Sequence, residues 1–166
     1  MISVKSEGEE SARLALVLFR AHLGAVYSQL KDSYGLDWNL DDAMRHEAAE
    51  VTVFFPPAGR LLVAREDTLP IGIVCLAPLG SGAGEVKHLY VEPGHRGRGI
   101  GGKLMGTLIG EGRSMGLDRL CLDSGSLQTD AHRLYRTLGF VETPRYAGSK
   151  VPDSQLDLVI FMHLAL

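Results

Sequence analysis

The sequence has few cysteines, which limits how the chain can be stabilised. Among 166 residues there are two, Cys75 and Cys121, and each lies inside an apolar stretch. A chain of this length buries roughly 70% of the surface that its unfolded form exposes, enough for an ordinary core without cross-links. We therefore expect a single domain over residues 1–166 with two reduced, buried thiols, and a disulfide as the less favoured alternative.

Excess positive charge and long apolar runs are also absent. The chain carries 17 Lys and Arg against 20 Asp and Glu, a net charge of −3, which argues against a surface that binds nucleic acid. No stretch approaches the roughly 18 consecutive apolar residues of a membrane span, and residues 1–7 lack the apolar segment of a secretion signal. The six histidines show no ligand spacing. We expect a cytoplasmic protein with no metal and no nucleic-acid or membrane partner.

The spacing of apolar residues predicts a helical start followed by strands and alternating elements. Helices are expected at residues 8–31 and 40–50, the second capped by Asn39. Three short apolar runs rich in β-branched residues then favour an antiparallel meander. The predicted strands and later helices are, in order, strands 60–65, 71–79 and 85–91, helix 99–115, strand 119–123, helix 129–138, and strands 140–143 and 155–164.

The most informative segment runs from Arg96 to Gly102, between an apolar strand and a helix. Its glycines let the backbone turn tightly and approach a ligand, so that N–H groups and the positive end of the helix point at one anion. Arg96 and Arg98 add forked, charged donors that suit phosphate oxygens. The segment therefore predicts a pyrophosphate-binding turn.

A dinucleotide-binding loop is an alternative explanation of the same glycines. Gly97, Gly99 and Gly102 spell G-x-G-x-x-G, and Asp123 follows about 20 residues later, where such folds place a ribose-binding acid. We reject it because residues 92–96 separate the glycines from the strand that ends at Val91. Too little chain follows Asp123 to complete a doubly wound sheet.

Three motifs, in this order of elements, resemble the GNAT superfamily of acyl-CoA-dependent N-acyltransferases. They are E-V-K-H-L-Y-V-E-P at 85–93, R-x-x-G-x-G at 96–101, and A-x-x-L-Y-x-x-x-G-F at 131–140. The N-terminal part resembles an uncharacterised bacterial branch through L-F-R at 18–20 and P-P-x-G-R-L-L-x-A at 56–64. The resemblance implies an α/β (α+β) fold with about four helices around a mixed, mostly antiparallel sheet. That sheet would be splayed between its fourth and fifth strands, which end at Val91 and Asp123.

The resemblance also implies how acetyl-CoA is held as the co-substrate. Its pantetheine arm would enter the gap and pair with the backbone of Leu89, Tyr90 and Val91. Its diphosphate would lie on the amides of the turn, which comprises Arg96, Gly97, Arg98, Gly99, Ile100, Gly101 and Gly102. Members often carry Asn where this chain has Gln128, whose amide makes similar contacts.

Aminolysis of a thioester needs a base for the amine, an oxyanion donor and an acid for the departing thiolate. The resemblance implies that Tyr135 is the acid and that Glu85 is a base, acting directly or through water, with His88 in reserve. The amide of Leu89 or Tyr90 is the expected oxyanion donor. Both side chains also have structural explanations: Tyr135 fills space under its helix, and Glu85 pairs with Lys87 on the same strand face.

The leading hypothesis is an N-acetyltransferase that acts on a primary amine of a small molecule. Loops carry specificity on a rigid scaffold, so we expect the acceptor at Tyr34 and Trp38 and at Arg145 and Tyr146. Arg145 would clamp a carboxylate, which favours an amino acid or a related amine. The alternatives are an acyl-CoA sensor without turnover, or acetylation of a protein lysine or N-terminus. A homodimer is left open.

Overall fold

A computed structural model describes residues 1–166 as four α-helices packed on one seven-stranded sheet. None of the helices combines the length and apolar character that crossing a membrane requires. Single turns of 3₁₀ helix occur at residues 9–11, 51–54 and 93–95, and a longer one at 153–158. The helices are α1 (Ala12–Tyr34), α2 (Leu40–Glu50), α3 (Ile100–Ser114) and α4 (Thr129–Thr137). The strands are β1 (Ile2–Ser6), β2 (Arg60–Glu66), β3 (Leu69–Gly80), β4 (Ala83–Val91), β5 (Arg119–Gly125), β6 (Val141–Thr143) and β7 (Val159–Ala165).

The strands lie in the order β1-β2-β3-β4-β5-β7-β6. Only β4 and β5 run parallel, and every other neighbouring pair is antiparallel. The expected meander is the β2-β3-β4 unit. The mixed, mostly antiparallel sheet predicted from the sequence is therefore confirmed, as are four helices and the Asn39 cap, whose side chain accepts a bond from the Asp42 N–H at 3.0 Å.

Both faces of the sheet are covered, which gives the protein two apolar cores. Along β2, Leu62 and Ala64 belong to the core under α3 and α4, whereas Leu61 and Val63 belong to the core under α1 and the turn at 51–54. All four are fully buried. A strand buried on both sides needs an unbroken apolar run, and this is why β2 and β3 show no polar alternation.

The first strand, β1, was not predicted from the sequence. β1 pairs with the outer edge of β2, from Ile2 opposite Glu66 to Ser6 opposite Leu62. It is short, half of it is polar, and it contributes only partly buried residues to the core. Such an edge strand depends on the neighbour that it pairs with and produces little periodic signal of its own.

The prediction of the last strand, at 155–164, was wrong for residues 155–158. Residues 153–158 form a 3₁₀ helix, and β7 begins only at Val159. The partner strand explains the difference: Val159 pairs with Gly125, the last residue of β5, so residues before Val159 have no strand beside them. Unpaired backbone then satisfies its hydrogen bonds within a local turn.

Candidate active site

The sheet opens between β4 and β5. The two strands pair only from Ala83 opposite Arg119 to Glu85 opposite Cys121, so residues 86–91 of β4 have no strand on that side. This is the splay that the sequence predicted. Two cavities, of about 970 and 870 Å³, lie along the gap and share His22, Val26, Leu89 and Gln128 in their walls. We call them the acceptor cavity and the cofactor cavity, respectively.

A bulge in β4 lies where the two cavities meet. Tyr90 pairs with Ile73 and Lys87 pairs with Cys75, so that two residues of β4, His88 and Leu89, stand opposite one residue of β3. His88 adopts a left-handed backbone conformation, with φ of 55°. A non-glycine residue reaches that region at a cost of about 1–2 kcal/mol. The bulge changes the direction of the β4 backbone at the residues expected to meet the acyl group.

The cofactor cavity ends at the glycine turn before α3. Gly97 and Gly99 both have φ of 75°, and a Cβ placed on either would meet no protein atom within 4 Å. The first hydrogen bond of α3 runs from the Lys103 N–H to the Gly99 carbonyl, which leaves the amides of Ile100, Gly101 and Gly102 outside the helix ladder. Open space in front of free amides at the N-terminus of a 15-residue helix fits a diphosphate.

The two arginines of this turn have different surroundings. The Arg96 side chain lines the cofactor cavity, where its Nε donates to the Val91 carbonyl at 2.9 Å and its guanidinium lies 5.8 Å from the centre of the Tyr90 ring. The Arg98 side chain instead donates two bonds, at 2.5 and 3.2 Å, to the carboxylate of Glu66 and does not line the cavity. The structure therefore leaves Arg96 as the guanidinium available to a bound anion.

The acceptor cavity contains a buried carboxylate, Glu85, whose residue is only 4% exposed. The Tyr146 hydroxyl lies 2.7 Å from Glu85 Oε1 and 3.2 Å from Asp123 Oδ2, so its single proton faces two carboxylates. Burial, reinforced by the charges of Asp123 and Glu85, raises the pKa of Tyr146 well above its usual range. The hydroxyl therefore keeps its proton and bridges the two acids.

Lys87 lies on the other side of Glu85, with Nζ 3.4 Å from Oε2. Burial by itself lowers the pKa of Lys87, but the neighbouring Glu85 and Asp123 carboxylates more than offset this and hold it above its usual value. Lys87 is therefore charged. The pairing of Glu85 with Lys87 that the sequence suggested is present, and it leaves Glu85 in contact with the cavity.

Tyr135 projects from α4 into the wall of the acceptor cavity and is 6% exposed. Its ring packs against Phe140, with 5.7 Å between centroids, and its hydroxyl makes no hydrogen bond within the protein. Burial, with a contribution from the charge of Asp123, raises the pKa of Tyr135. The group is thus a protonated, unengaged hydroxyl in a wall that a bound thioester would approach.

His88, the reserve base, is held by other groups. Its ring stacks on Phe19 with 3.9 Å between centroids, and its Nε2 donates to Glu47 Oε2 at 3.0 Å. Burial by itself raises the pKa of Glu47, but the hydrogen bond and the charge of His88 outweigh this effect and hold the pKa below its usual value, so the carboxylate stays ionised. His22 meets the His88 ring edge-on, and burial lowers the pKa of His22 to about 3. His22 is therefore neutral at physiological pH.

The structure separates the residues expected at the acceptor. Trp38 lines the acceptor cavity and meets Tyr27 edge-on at 5.2 Å. Tyr34 lies outside both cavities, 46% exposed, with its hydroxyl 3.4 Å from Ser126. Arg145 is also outside, where it donates to Asp153 at 2.7 Å and to the Ser149 carbonyl at 3.3 Å. The structure thus gives the proposed carboxylate clamp no support.

Gln128, which was expected at the cofactor, lines both cavities. Other residues of the site were not identified as functional from the sequence. Asp123, to which no role was assigned, lines the acceptor cavity and accepts a hydrogen bond from Tyr146. Glu47 and Lys150 carry no motif. Lys150 donates to both oxygens of Glu50, at 2.9 and 2.6 Å, and so ties the segment after β6 to α2 across the cavity.

Comparisons with known proteins agree with this architecture. The model of the acetyltransferase (GNAT) family matches residues 23–140. An uncharacterized N-acetyltransferase of Schizosaccharomyces pombe is 30% identical over 135 residues, 80% of each chain. The IAA acetyltransferase of Azospirillum brasilense is 38% identical over 111 residues, 66% of this chain and 70% of that protein. The crystal structure of the PaiA N-acetyltransferase from Thermoplasma acidophilum in complex with coenzyme A superposes with a TM-score of 0.75 at 14% identity, covering 100% of this chain and 99% of that one.

The split sheet, the glycine turn and these matches together define the class of the protein, an acetyl-CoA-dependent acyltransferase. More particularly, the chain belongs to the acetyltransferase (GNAT) family.

Proposed function

We propose that the protein transfers the acetyl group of acetyl-CoA to a primary amine of a small molecule, by direct attack of the amine on the thioester. The observation that carries this proposal is the buried Glu85 carboxylate in the acceptor cavity, at the last paired residue before the sheet opens. A primary amine arrives as an ammonium and must lose a proton before it attacks. A carboxylate held beside the opening of the sheet is suited to accept that proton.

Acetyl-CoA would be bound as a substrate by the cofactor cavity. The diphosphate would accept hydrogen bonds from the amides at Gly101 and Gly102, with Arg96 adding charge. The pantetheine arm would occupy the gap and pair with the free edge of β4 at Leu89 to Val91. This binding would bring the thioester to the junction between the two cavities, which Gln128 also lines.

The chemical step would then proceed as follows. After Glu85 has taken one proton, the neutral nitrogen attacks the carbonyl carbon, and the amide of Leu89 or Tyr90 stabilises the resulting oxyanion. The tetrahedral species collapses by breaking the C–S bond. The remaining extra proton of the nitrogen passes through water to the Tyr135 oxygen once that oxygen has given its own proton to the sulfur, and Glu85 releases its proton to solvent before the next turnover. The CoA thiolate receives a proton from the Tyr135 hydroxyl, which has no competing partner in the protein.

The shape of the acceptor cavity favours a small acceptor over a protein. Seven residues between 148 and 159 line it, and the Lys150–Glu50 ion pair joins this segment to α2. An extended peptide would have to displace that connection. A sensor without turnover, the other alternative, has no requirement for a carboxylate buried in the acceptor cavity.

The test is release of free CoA thiol from acetyl-CoA in the presence of a panel of primary amines, together with calorimetric binding of CoA. We expect thiol release that depends on the amine. Glu85→Gln should lower kcat by about 10²-fold or more while leaving CoA affinity within about twofold of wild type. CoA binding without thiol release for any amine would favour the sensor.

A further inference from the structure

We infer that the acceptor is an amine without an acid group, with its ammonium between Asp123 and Glu85 and an apolar or aromatic body against α1 and Trp38. The inference rests on the proposed function and narrows its substrate class. It departs from the amino acid that the sequence favoured.

The first argument is that the acceptor cavity has more acids than free cations. Four carboxylates line it, on Glu47, Glu50, Glu85 and Asp123, and no arginine does. Its two lysines are both engaged, Lys87 with Glu85 at 3.4 Å and Lys150 with Glu50 at 2.6 Å. A substrate carboxylate would therefore have to take a lysine away from its partner.

The histidines of the cavity do not supply an unpaired cation either. His22 is neutral, as its lowered pKa requires, and His88 uses Nε2 to donate to Glu47. His46 is 67% exposed and lies 3.7 Å from Glu50. Arg145 is outside the cavity and is bound to Asp153. None of the positive groups near the cavity is thus available without breaking an existing contact.

The second argument concerns Asp123, the carboxylate with the most unused capacity. Its only hydrogen bond within the protein is the long one from Tyr146, at 3.2 Å, and no lysine or arginine pairs with it. A carboxylate can accept several hydrogen bonds. A substrate ammonium would be stabilised there. A substrate carboxylate would instead lose its hydration beside the negative charges of Asp123 and Glu85.

The third argument is the character of the remaining wall. Val26, Tyr27 and Leu30 line the cavity from α1, and Trp38 meets the Tyr27 ring edge-on from the loop that follows. Aromatic and branched side chains of this kind offer dispersion contact to an apolar body and few hydrogen bonds. The acceptor that fits both the acidic part and the apolar part of the cavity is an alkyl or arylalkyl amine.

The experiment compares amines with the amino acids that differ from them only by a carboxylate: phenethylamine with phenylalanine, tryptamine with tryptophan, and isoamylamine with leucine. Thiol release from acetyl-CoA gives kcat/KM for each. We expect kcat/KM of the amine to exceed that of its amino acid by about tenfold or more in the pairs that react. Equal or reversed values would overturn this inference and leave the proposed function standing. Absence of turnover for all six, while other amines of the panel react, would overturn this inference alone, and absence of turnover across the whole panel would overturn the proposed function as well.

A variant tests whether the charges of the cavity cause the preference for amines over amino acids. Glu50→Gln removes the partner of Lys150 and frees one cation at the cavity wall, so we expect the preference for the amine to narrow by about threefold or more. Glu142→Gln is the matched control. Glu142 pairs with Arg136 at 2.6 Å, so this change also frees a cation, but neither residue lines a cavity. An unchanged preference in Glu50→Gln, or an equal narrowing in both variants, would contradict the electrostatic explanation.

Discussion

At the residue scale, the Tyr146 hydroxyl connects a buried carboxylate, Glu85, with a half-buried one, Asp123. It has one proton to donate, and its oxygen lies 2.7 Å from Glu85 Oε1 and 3.2 Å from Asp123 Oδ2. The groups that face Glu85 are Lys87 on its own strand, Cys121 and Asp123 on β5, and Tyr146 itself. Removing the Tyr146 hydroxyl should therefore change how well the site stabilises the ionised Glu85 carboxylate more than it changes where that carboxylate lies.

Two substitutions should move the acidic limb of the kcat/KM profile in opposite directions. Tyr146→Phe removes a donor to the ionised Glu85, so the limb should shift to higher pH. Asp123→Asn removes a like charge, so the limb should shift to lower pH, by about half a unit or more in each case. The measurement is kcat/KM against pH with one reactive amine.

The control is Tyr34→Phe, which removes a hydroxyl outside both cavities and should leave the profile unchanged. If Tyr146→Phe and Asp123→Asn shift the limb in the same direction, or not at all, Glu85 is not coupled to this bridge.

The second prediction at this scale concerns the leaving group. Tyr135→Phe keeps the buried ring and its contact with Phe140 and removes only the free hydroxyl. If that hydroxyl protonates the CoA thiolate in the transition state, kcat should fall by about 10²-fold or more with acetyl-CoA affinity nearly intact. Unchanged kcat at saturating substrates would return Tyr135 to a packing role, with water protonating the thiolate.

At the element scale, the N-terminus of α3 depends on glycines for two different reasons. Gly99 has φ of 75°, which strains any side chain, although the space in front of it is open. Gly101 has an ordinary backbone, but a Cβ there would lie 3.2 Å from Leu134 Cδ2 on α4. One glycine sets the direction of the turn, and the other lets α3 and α4 pack closely beside the cofactor cavity.

Valine at either position should abolish CoA binding, measured by calorimetry. Gly99→Val distorts the turn that presents the amides, and Gly101→Val adds an isopropyl group between the helices. Gly106→Val is the control, because a Cβ on Gly106 meets no protein atom within 4 Å and this residue lines neither cavity. It should leave stability unchanged or raise it by about 0.5 kcal/mol or less, since valine is a somewhat better helix former than glycine, while CoA affinity stays unchanged. Full affinity in both Gly99→Val and Gly101→Val would contradict the proposed diphosphate site.

At the scale of the whole molecule, packing α1 onto the sheet places a neutral histidine in the wall of both cavities. The pKa of His22 falls from 6.5 to about 3, first because of burial and then because of the charge of His88. Between these values the unfolded chain binds a proton that the folded chain does not. The free energy of unfolding therefore falls as pH drops from 6.5 toward 3, by up to about 1.4 kcal/mol per pH unit.

His22→Gln should consequently lose less stability than wild type when pH is lowered from 7 to 5, as measured by thermal or denaturant unfolding. The expected difference is about 1–2 kcal/mol across that interval. His46→Gln, which changes an exposed ring on α2, should follow the wild-type dependence. Parallel curves for wild type and His22→Gln would show that His22 is accessible to protons in the folded state.

The parts of the structure that the sequence predicted share one property. The glycine turn, the Asn39 cap and the meander are each encoded by contiguous residues, through φ preferences, capping and strand periodicity. The missed strand β1 and the misplaced start of β7 depend instead on a partner strand far along the chain. Local patterns give no information on where such a partner ends.

The sequence by itself determined a glycine-lined helix N-terminus after an apolar strand, an antiparallel unit before it, and the family resemblance that pointed to Glu85 and Tyr135. Only the tertiary structure decided which charges meet. It joined Tyr146 to Glu85 and Asp123, bound Arg145 to Asp153 outside the acceptor cavity, and paired Lys150 with Glu50 on α2. Backbone turns and caps depend on neighbours along the chain, whereas the charge balance of a cavity depends on side chains that only the packing of helices on the sheet brings within a few ångströms.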